Sequence, residues 1–233
     1  MLKKIAMLAA AMSVALVGAV GLSAQGAAAP TPIGAWFGIA RPCTATPYTK
    51  PPGTEDPTIC RLACNAATCP VSNFPVNEVT MIPTILADGT VLADDFAELL
   101  DHHSTAQGKW KFVGVETIDG RPMERYQATF IWFQARGPNE IDPRNPLSSF
   151  AGVVRPRFVT FFDKDNPDLM RGFIQPYLYP MTDQFGIVNL LKGTPFPQPD
   201  PIAPLPANCD PTLQAIPYCF GTLHFYIRRI QAQ

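Results

Sequence analysis

Asp88-Gly89 constrains the shape of this chain more than any other pair of residues. It joins two β-prone runs, 84–87 and 90–92, and tolerates the positive φ angles of a tight hairpin, so the chain turns back there as antiparallel strands. Asp119-Gly120 repeats the signal further on. Between the two turns, Trp110 and Phe112 alternate with Lys109 and Lys111, the period of a strand with one dry face. The following run, 124–133, sets Tyr126, Ala128, Phe130 and Trp132 on one face and Arg125, Gln127, Thr129 and Ile131 on the other. Both faces can hold apolar groups, which points to a closed sheet.

Eight strands emerge from this reading, at about 33–40, 76–87, 90–93, 108–118, 124–133, 153–162, 169–179 and 219–228, with almost no helix. In the last, Leu223, Phe225 and Ile227 share one face and Thr222, His224, Tyr226 and Arg228 the other. The 26 prolines cluster at 42–57, 138–156 and 176–217, marking those stretches as loops. The fold class expected is all-β: an eight-stranded antiparallel up-and-down barrel, closed so that no sticky edge remains and wide enough for side chains or one small ligand. A cysteine-rich insertion, 42–75, follows strand one, and a proline-rich cover, 180–218, precedes the last strand.

Lys3 and Lys4 lead an apolar run, 5–22, and then an Ala-rich stretch, which is the order of a secretory signal. Residues 1–28 are read as that signal, cleaved between Ala24 and Ala29, and 29–233 as a single domain. The protein is then exported, periplasmic or extracellular, without a stable membrane anchor. The 18 basic residues less Lys3 and Lys4 leave 16 against 19 acidic ones, a formal charge of −3. No basic patch of the kind needed to track a phosphate backbone is evident, so nucleic acid is not the expected partner. Six cysteines, Cys43, Cys60, Cys64, Cys69, Cys209 and Cys219, suit an oxidising compartment, and no C-x-x-C spacing suggests zinc. The preferred pairing joins Cys209 to Cys219 and the other four among themselves.

Gly34-Ala35-Trp36 on the first strand, with Arg228 or Arg229 near the end of the last, resembles the pair that closes the base of lipocalins and other calycins. Asp88-Gly89-Thr90, followed after a polar loop by Gly108-Lys109-Trp110, is similar to a group of exported bacterial lipocalin-like proteins, mostly of unassigned function. The resemblance implies a structural Trp36–Arg228 contact and an enclosed interior. Neither the cysteine-rich insertion nor the proline-rich segment belongs to the ordinary lipocalin outline.

The candidate ligand-binding set on the interior is Phe37, Phe112, Tyr126, Phe130, Trp132, His224 and Tyr226, with polar tips on Tyr126, His224 and Tyr226 to orient a bound molecule. His102 and His103, with Asp94, Asp95 and Asp101, form the most reactive-looking cluster, although adjacent residues on an extended chain point apart and a solvated loop explains them as well. The acidic run 163–168 reads as a hairpin tip, lacking the glycine and closing glutamate of a calcium loop. No nucleophile elbow, H-E-x-x-H, P-loop or G-x-G-x-x-G is present. The leading expectation is a barrel that binds a small hydrophobic molecule, without metal or cofactor. Its alternatives are a cofactor-independent isomerase, cyclase or lyase using His224 and Tyr226, or His102 or His103, and an interaction module whose cysteine-rich loop meets a protein partner.

Overall fold

In the computed structural model, nine strands and one short helix account for the regular structure of the described residues: 30–43, 56–65, 69–72, 78–95, 103–135, 150–180, 204–213 and 217–231. The strands are β1 (Gly34–Pro42), β2 (Val79–Ile85), β3 (Thr90–Asp95), β4 (Ala106–Ile118), β5 (Arg121–Ala135), β6 (Phe150–Phe162), β7 (Leu169–Pro180), β8 (Tyr218–Cys219) and β9 (Leu223–Arg229), and the helix is α1 (Pro57–Cys64). Consecutive strands pair antiparallel from β1 to β7. β9 then pairs with both β7 and β1, so eight strands form a closed ring, with two-residue β8 added to the end of β7. All of this belongs to one unit, 32–233. The signal reading of 1–28 lies outside the described residues. Among those described, no helix is long and apolar enough to cross a membrane.

The two hairpin signals resolve differently. At Asp119-Gly120 both residues have positive φ, 50° and 79°, and Ile118 pairs directly with Arg121, giving the two-residue turn expected. At Asp88-Gly89 only Gly89 is left-handed, at 83°. Leu86 donates its N–H to the Thr90 carbonyl, which makes a three-residue loop. Asp88 caps it, accepting from Thr90 N at 2.8 Å and Thr90 Oγ1 at 2.9 Å.

Alternation then decides what the ring encloses. Trp36 and Ala40, Val79, Met81 and Ile85, Ala128 and Phe130, and Leu223, Phe225 and Ile227 are all buried and join one interior cluster. At its base, Trp36 is fully buried and donates its indole N–H to the Pro32 carbonyl at 2.9 Å. The guanidinium that lies over this indole, 4.4 Å from the ring centre, belongs to Arg229. The expectation of Arg228 is therefore corrected by one residue, because Arg229 shares the inward face of Phe225 and Ile227 whereas Arg228 is exposed. Such a contact is worth about 0.5–2 kcal/mol. Arg229 also donates to the Ile33 carbonyl at 2.6 Å and the Pro167 carbonyl at 3.1 Å, fastening three segments at the base. Gly34 fits beneath it at φ 137°, where a Cβ would come within 2.9 Å of Nη1.

The outside of the ring is covered in two places. Asp56 caps α1 by accepting from Ile59 N at 3.1 Å, Pro57 occupies the first turn, and Asn65 ends the helix in the left-handed region. Ile59 then packs with Val159, Phe161 and Phe173 on the outer face of β6 and β7. Disulfides Cys43–Cys60 and Cys64–Cys69 hold this segment in place. The third, Cys209–Cys219, joins 204–213 to β8, and the two cysteines pack with Val153, Tyr177 and Tyr179 on the same wall. All three agree with the preferred pairing. Two prolines expected in loops, Pro156 and Pro176, stand opposite each other inside the β6–β7 ladder.

Candidate functional site

Above the packed base the ring is hollow. A cavity of about 230 Å³ lies among Ala40, Met81, Ala106, Phe130, Phe158 and Leu223, so its walls are mostly apolar. Phe158 forms its floor, stacked on Phe225 at 4.6 Å and tilted against Phe130 at 5.1 Å. Beneath that layer Trp110 and Tyr126, 5.0 Å apart, help to leave only about 10 Å³.

Polar groups collect at the opposite end of the cavity, where β3 and β5 finish: Asp94, Asp95, His103, Trp132 and Gln134. His103 is bridged to Gln134 across the chain. Its Nε2 lies 3.2 Å from Asp95 Oδ1 and its Nδ1 2.9 Å from the Ser104 carbonyl, so both ring nitrogens face acceptor oxygens. The imidazole also rests against Trp132, with ring centres 5.5 Å apart. The Trp132 indole N–H is buried and has no hydrogen-bond partner among the described residues. An unmet donor of this kind costs about 1–3 kcal/mol, which an acceptor entering the cavity would recover.

The structure brings together only part of the expected ligand-binding set. Phe130 and Trp132 line the cavity. Tyr126 faces inward but belongs to the base, where its hydroxyl donates to Glu124 Oε2 at 2.6 Å and burial, reinforced by that carboxylate, raises its pKa. Phe112 stands beside Tyr126 at the rim of the base, 52% exposed, and Phe37 is 51% exposed on the outer face of β1. His224 and Tyr226 also face outward. The sequence shows which residues of the last strand share a face, but its two faces are both largely buried, one by the ring interior and one by α1, so composition does not say which is inside.

Outside the ring His224 and Tyr226 join a polar network with no access to the cavity. Tyr226 donates to Asp56 Oδ2 at 2.8 Å, and Arg171 reaches the same oxygen at 3.2 Å and Asp119 Oδ2 at 2.5 Å. Burial pushes the Tyr226 hydroxyl up to about 12, helped by Asp56. Burial likewise pushes His224 down to about 4, against the pull of Asp56, and its Nδ1 has no partner among the described residues. The Arg171 hydrogen bond holds the Asp119 carboxyl below its usual range. The assignment of proton transfer to His224 and Tyr226 is therefore corrected: neither meets a molecule inside the ring.

Of the reactive-looking cluster, His103, Asp94 and Asp95 reach the cavity mouth, and Asp101 and His102 lie outside the described residues. Among the described residues no group of three His, Cys, Asp or Glu side chains is placed to hold a metal. The acidic hairpin 163–168 is a tied turn, in which Asp163 accepts from Asp165 N at 2.9 Å and pairs with Arg121 at 2.6 Å. The described part of the proline-rich segment lies on the outer wall of β6 and β7, where Arg157 donates to the Ala207 carbonyl at 2.9 Å and to the Pro206 carbonyl. Its remainder, the part expected to cover the opening, falls outside the described residues. No known protein family, curated protein or solved structure matches the chain.

Proposed function

We propose that this is an exported, lipocalin-like barrel that binds a small, mainly apolar molecule in the upper half of its interior. The observation that supports this reading most directly is the apolar cavity of about 230 Å³ ending at the unmet Trp132 indole N–H. That volume lies just below the roughly 300–1,000 Å³ of drug-sized sites, so the ligand is compact. It carries a hydrogen-bond acceptor at one end, matched to Trp132 and the polar mouth. An enzyme reading finds less support, since both nitrogens of His103 already face acceptors and His224 lies behind the wall.

Isothermal titration with 2-naphthol, an apolar bicycle with one hydroxyl, tests the proposal. The wild-type protein should bind it, naphthalene should bind more weakly for want of an oxygen, and Ala106→Phe should lose both by filling the cavity. Undiminished binding to folded Ala106→Phe, or no binding at the solubility limit, would remove this function.

A further inference from the structure

Another concavity among the described residues lies outside the ring, on the face made by β4, β5 and β6. It measures about 450 Å³, and Pro204 and Leu205 form its raised side. Its floor is basic. Lys109 and Lys111 come from β4, Arg155 and Arg157 from β6, and the neutral Gln127 and Thr129 stand between them on β5. Lys109, Thr129 and Arg157 are in direct cross-strand register. Residues two apart on a strand lie about 7 Å apart and strands two apart lie about 10 Å apart, so Lys109 and Arg157 face each other across about 10 Å while Lys111 and Arg155 are displaced by about 7 Å in opposite directions, and the four cations form a slanted array. None of the described lining residues is acidic. This corrects the impression of a chain without a basic patch: the charges come from two strands separated by a third and never form a run in the sequence.

Lys109 and Arg157, which face each other across the groove, are only lightly compensated. Lys109 donates to Thr90 Oγ1 at 2.9 Å, and its nearest carboxylate, Asp88, is 3.9 Å away with both side chains well exposed. Arg157 is held by neutral acceptors, Gln175 Oε1 at 2.9 Å and the carbonyls of Pro206 and Ala207, which fix its guanidinium without cancelling its charge. Like charges gathered in one concavity raise the local potential and draw in anions, even on a chain whose formal net charge is −1.

We propose that this groove binds an acidic oligosaccharide, a chain of sugars bearing sulfate or carboxylate groups. Two rows of cations suit anionic groups along both sides of such a chain, and Gln127 and Thr129 suit its hydroxyls. Single-stranded nucleic acid fits less well because it needs aromatic faces for its bases. The one aromatic residue in the described lining, Trp110, is committed to Tyr126 at 5.0 Å and to the Leu86 carbonyl at 3.0 Å. A flat anionic membrane fits less well because the 204–207 segment stands on the same outer face, against Arg157.

The full chain, freed of any signal segment, is titrated with a heparin-derived hexasaccharide across a range of salt concentrations. Binding should weaken with salt, and the double variant Lys109→Gln, Lys111→Gln should bind about tenfold more weakly, as expected for losing two exposed ion pairs. The salt slope should fall by about one for each cation removed. Arg228→Gln, which removes an exposed cation outside the groove, should change nothing. Equal losses in the double variant and in Arg228→Gln would reduce the effect to general charge and overturn the proposal. So would unchanged binding in the double variant, or a clear preference for polyphosphate, single-stranded DNA or vesicles containing anionic lipid over the hexasaccharide.

Discussion

The two ends of the ring's interior are built on the same strands and differ in what fills them. On β1 the inward residue is Trp36 at the base and Ala40 toward the top; on β4 it is Trp110 at the base and Ala106 above. The base retains about 10 Å³ of free space and the top about 230 Å³. The β1–β9 ladder runs unbroken from Trp36 at the base past Ala40 to Pro42, so along it the hollow is a matter of side-chain size and not of a gap in the sheet. The base spends its volume on closure, with Trp36 under Arg229, and the top leaves its volume open beside the polar mouth. A packed end gives a scaffold rigid enough to hold an unfilled one.

The largest test of this contrast is Trp36→Ala. It should lower stability by about 3–5 kcal/mol, as for other fully buried tryptophans, whereas Trp132→Ala at the cavity wall should lose under about 2 kcal/mol. Urea unfolding of both variants measures the difference, and equal losses would break the comparison.

A second test concerns the wall outside the cavity. His224 is held near 4 in the folded protein against an ordinary value of 6.5, so the unfolded chain takes up its proton first as the pH falls. Stability is unaffected by this group above pH 6.5 and falls between pH 6.5 and 4, by about 3 kcal/mol in all. Thermal unfolding across that range should show the fall in the wild type and in Ala106→Leu alike. His224→Phe should flatten it. An unchanged slope in His224→Phe would place the acid sensitivity elsewhere.

A smaller effect separates the two ends by addition instead of removal. Ala128→Leu adds volume to the filled base and should lose about 1–3 kcal/mol, while Ala106→Leu adds the same volume to the hollow and should change stability by less than about 1 kcal/mol. Reversal of that order would mean that the base is the looser end.

Much of the ring was legible in the sequence. The two Asp-Gly turns, the period-two runs and the cysteine pairing all lead to it, because hairpin turns and alternation act locally. What was not legible depended on contacts between distant segments. Period two shows that His224 and Tyr226 share a face but not that α1 will bury that face from outside the ring. The helix itself had a readable signal, Asp56-Pro57 before Ile59 and Ala63 at helical spacing, obscured by the cysteines and prolines around it. Of the site, Phe130 and Trp132 could be found from their strand, and His103 from its cluster with Asp94 and Asp95. The alanines that make the cavity could not, since a small residue in a strand shows nothing until its cross-strand neighbours are known. The basic groove was hidden for a similar reason, its four cations lying on two strands separated by a third.

The most direct test of a packed base beneath a hollow top is diffraction from crystals held under xenon, which enters dry apolar cavities. The account predicts a xenon site bounded by Phe130, Phe158 and Ala106, absent from crystals of Ala106→Phe, and none between Trp110 and Met170. Xenon at the base, or a top already filled by side chains with no room for it, would contradict the account.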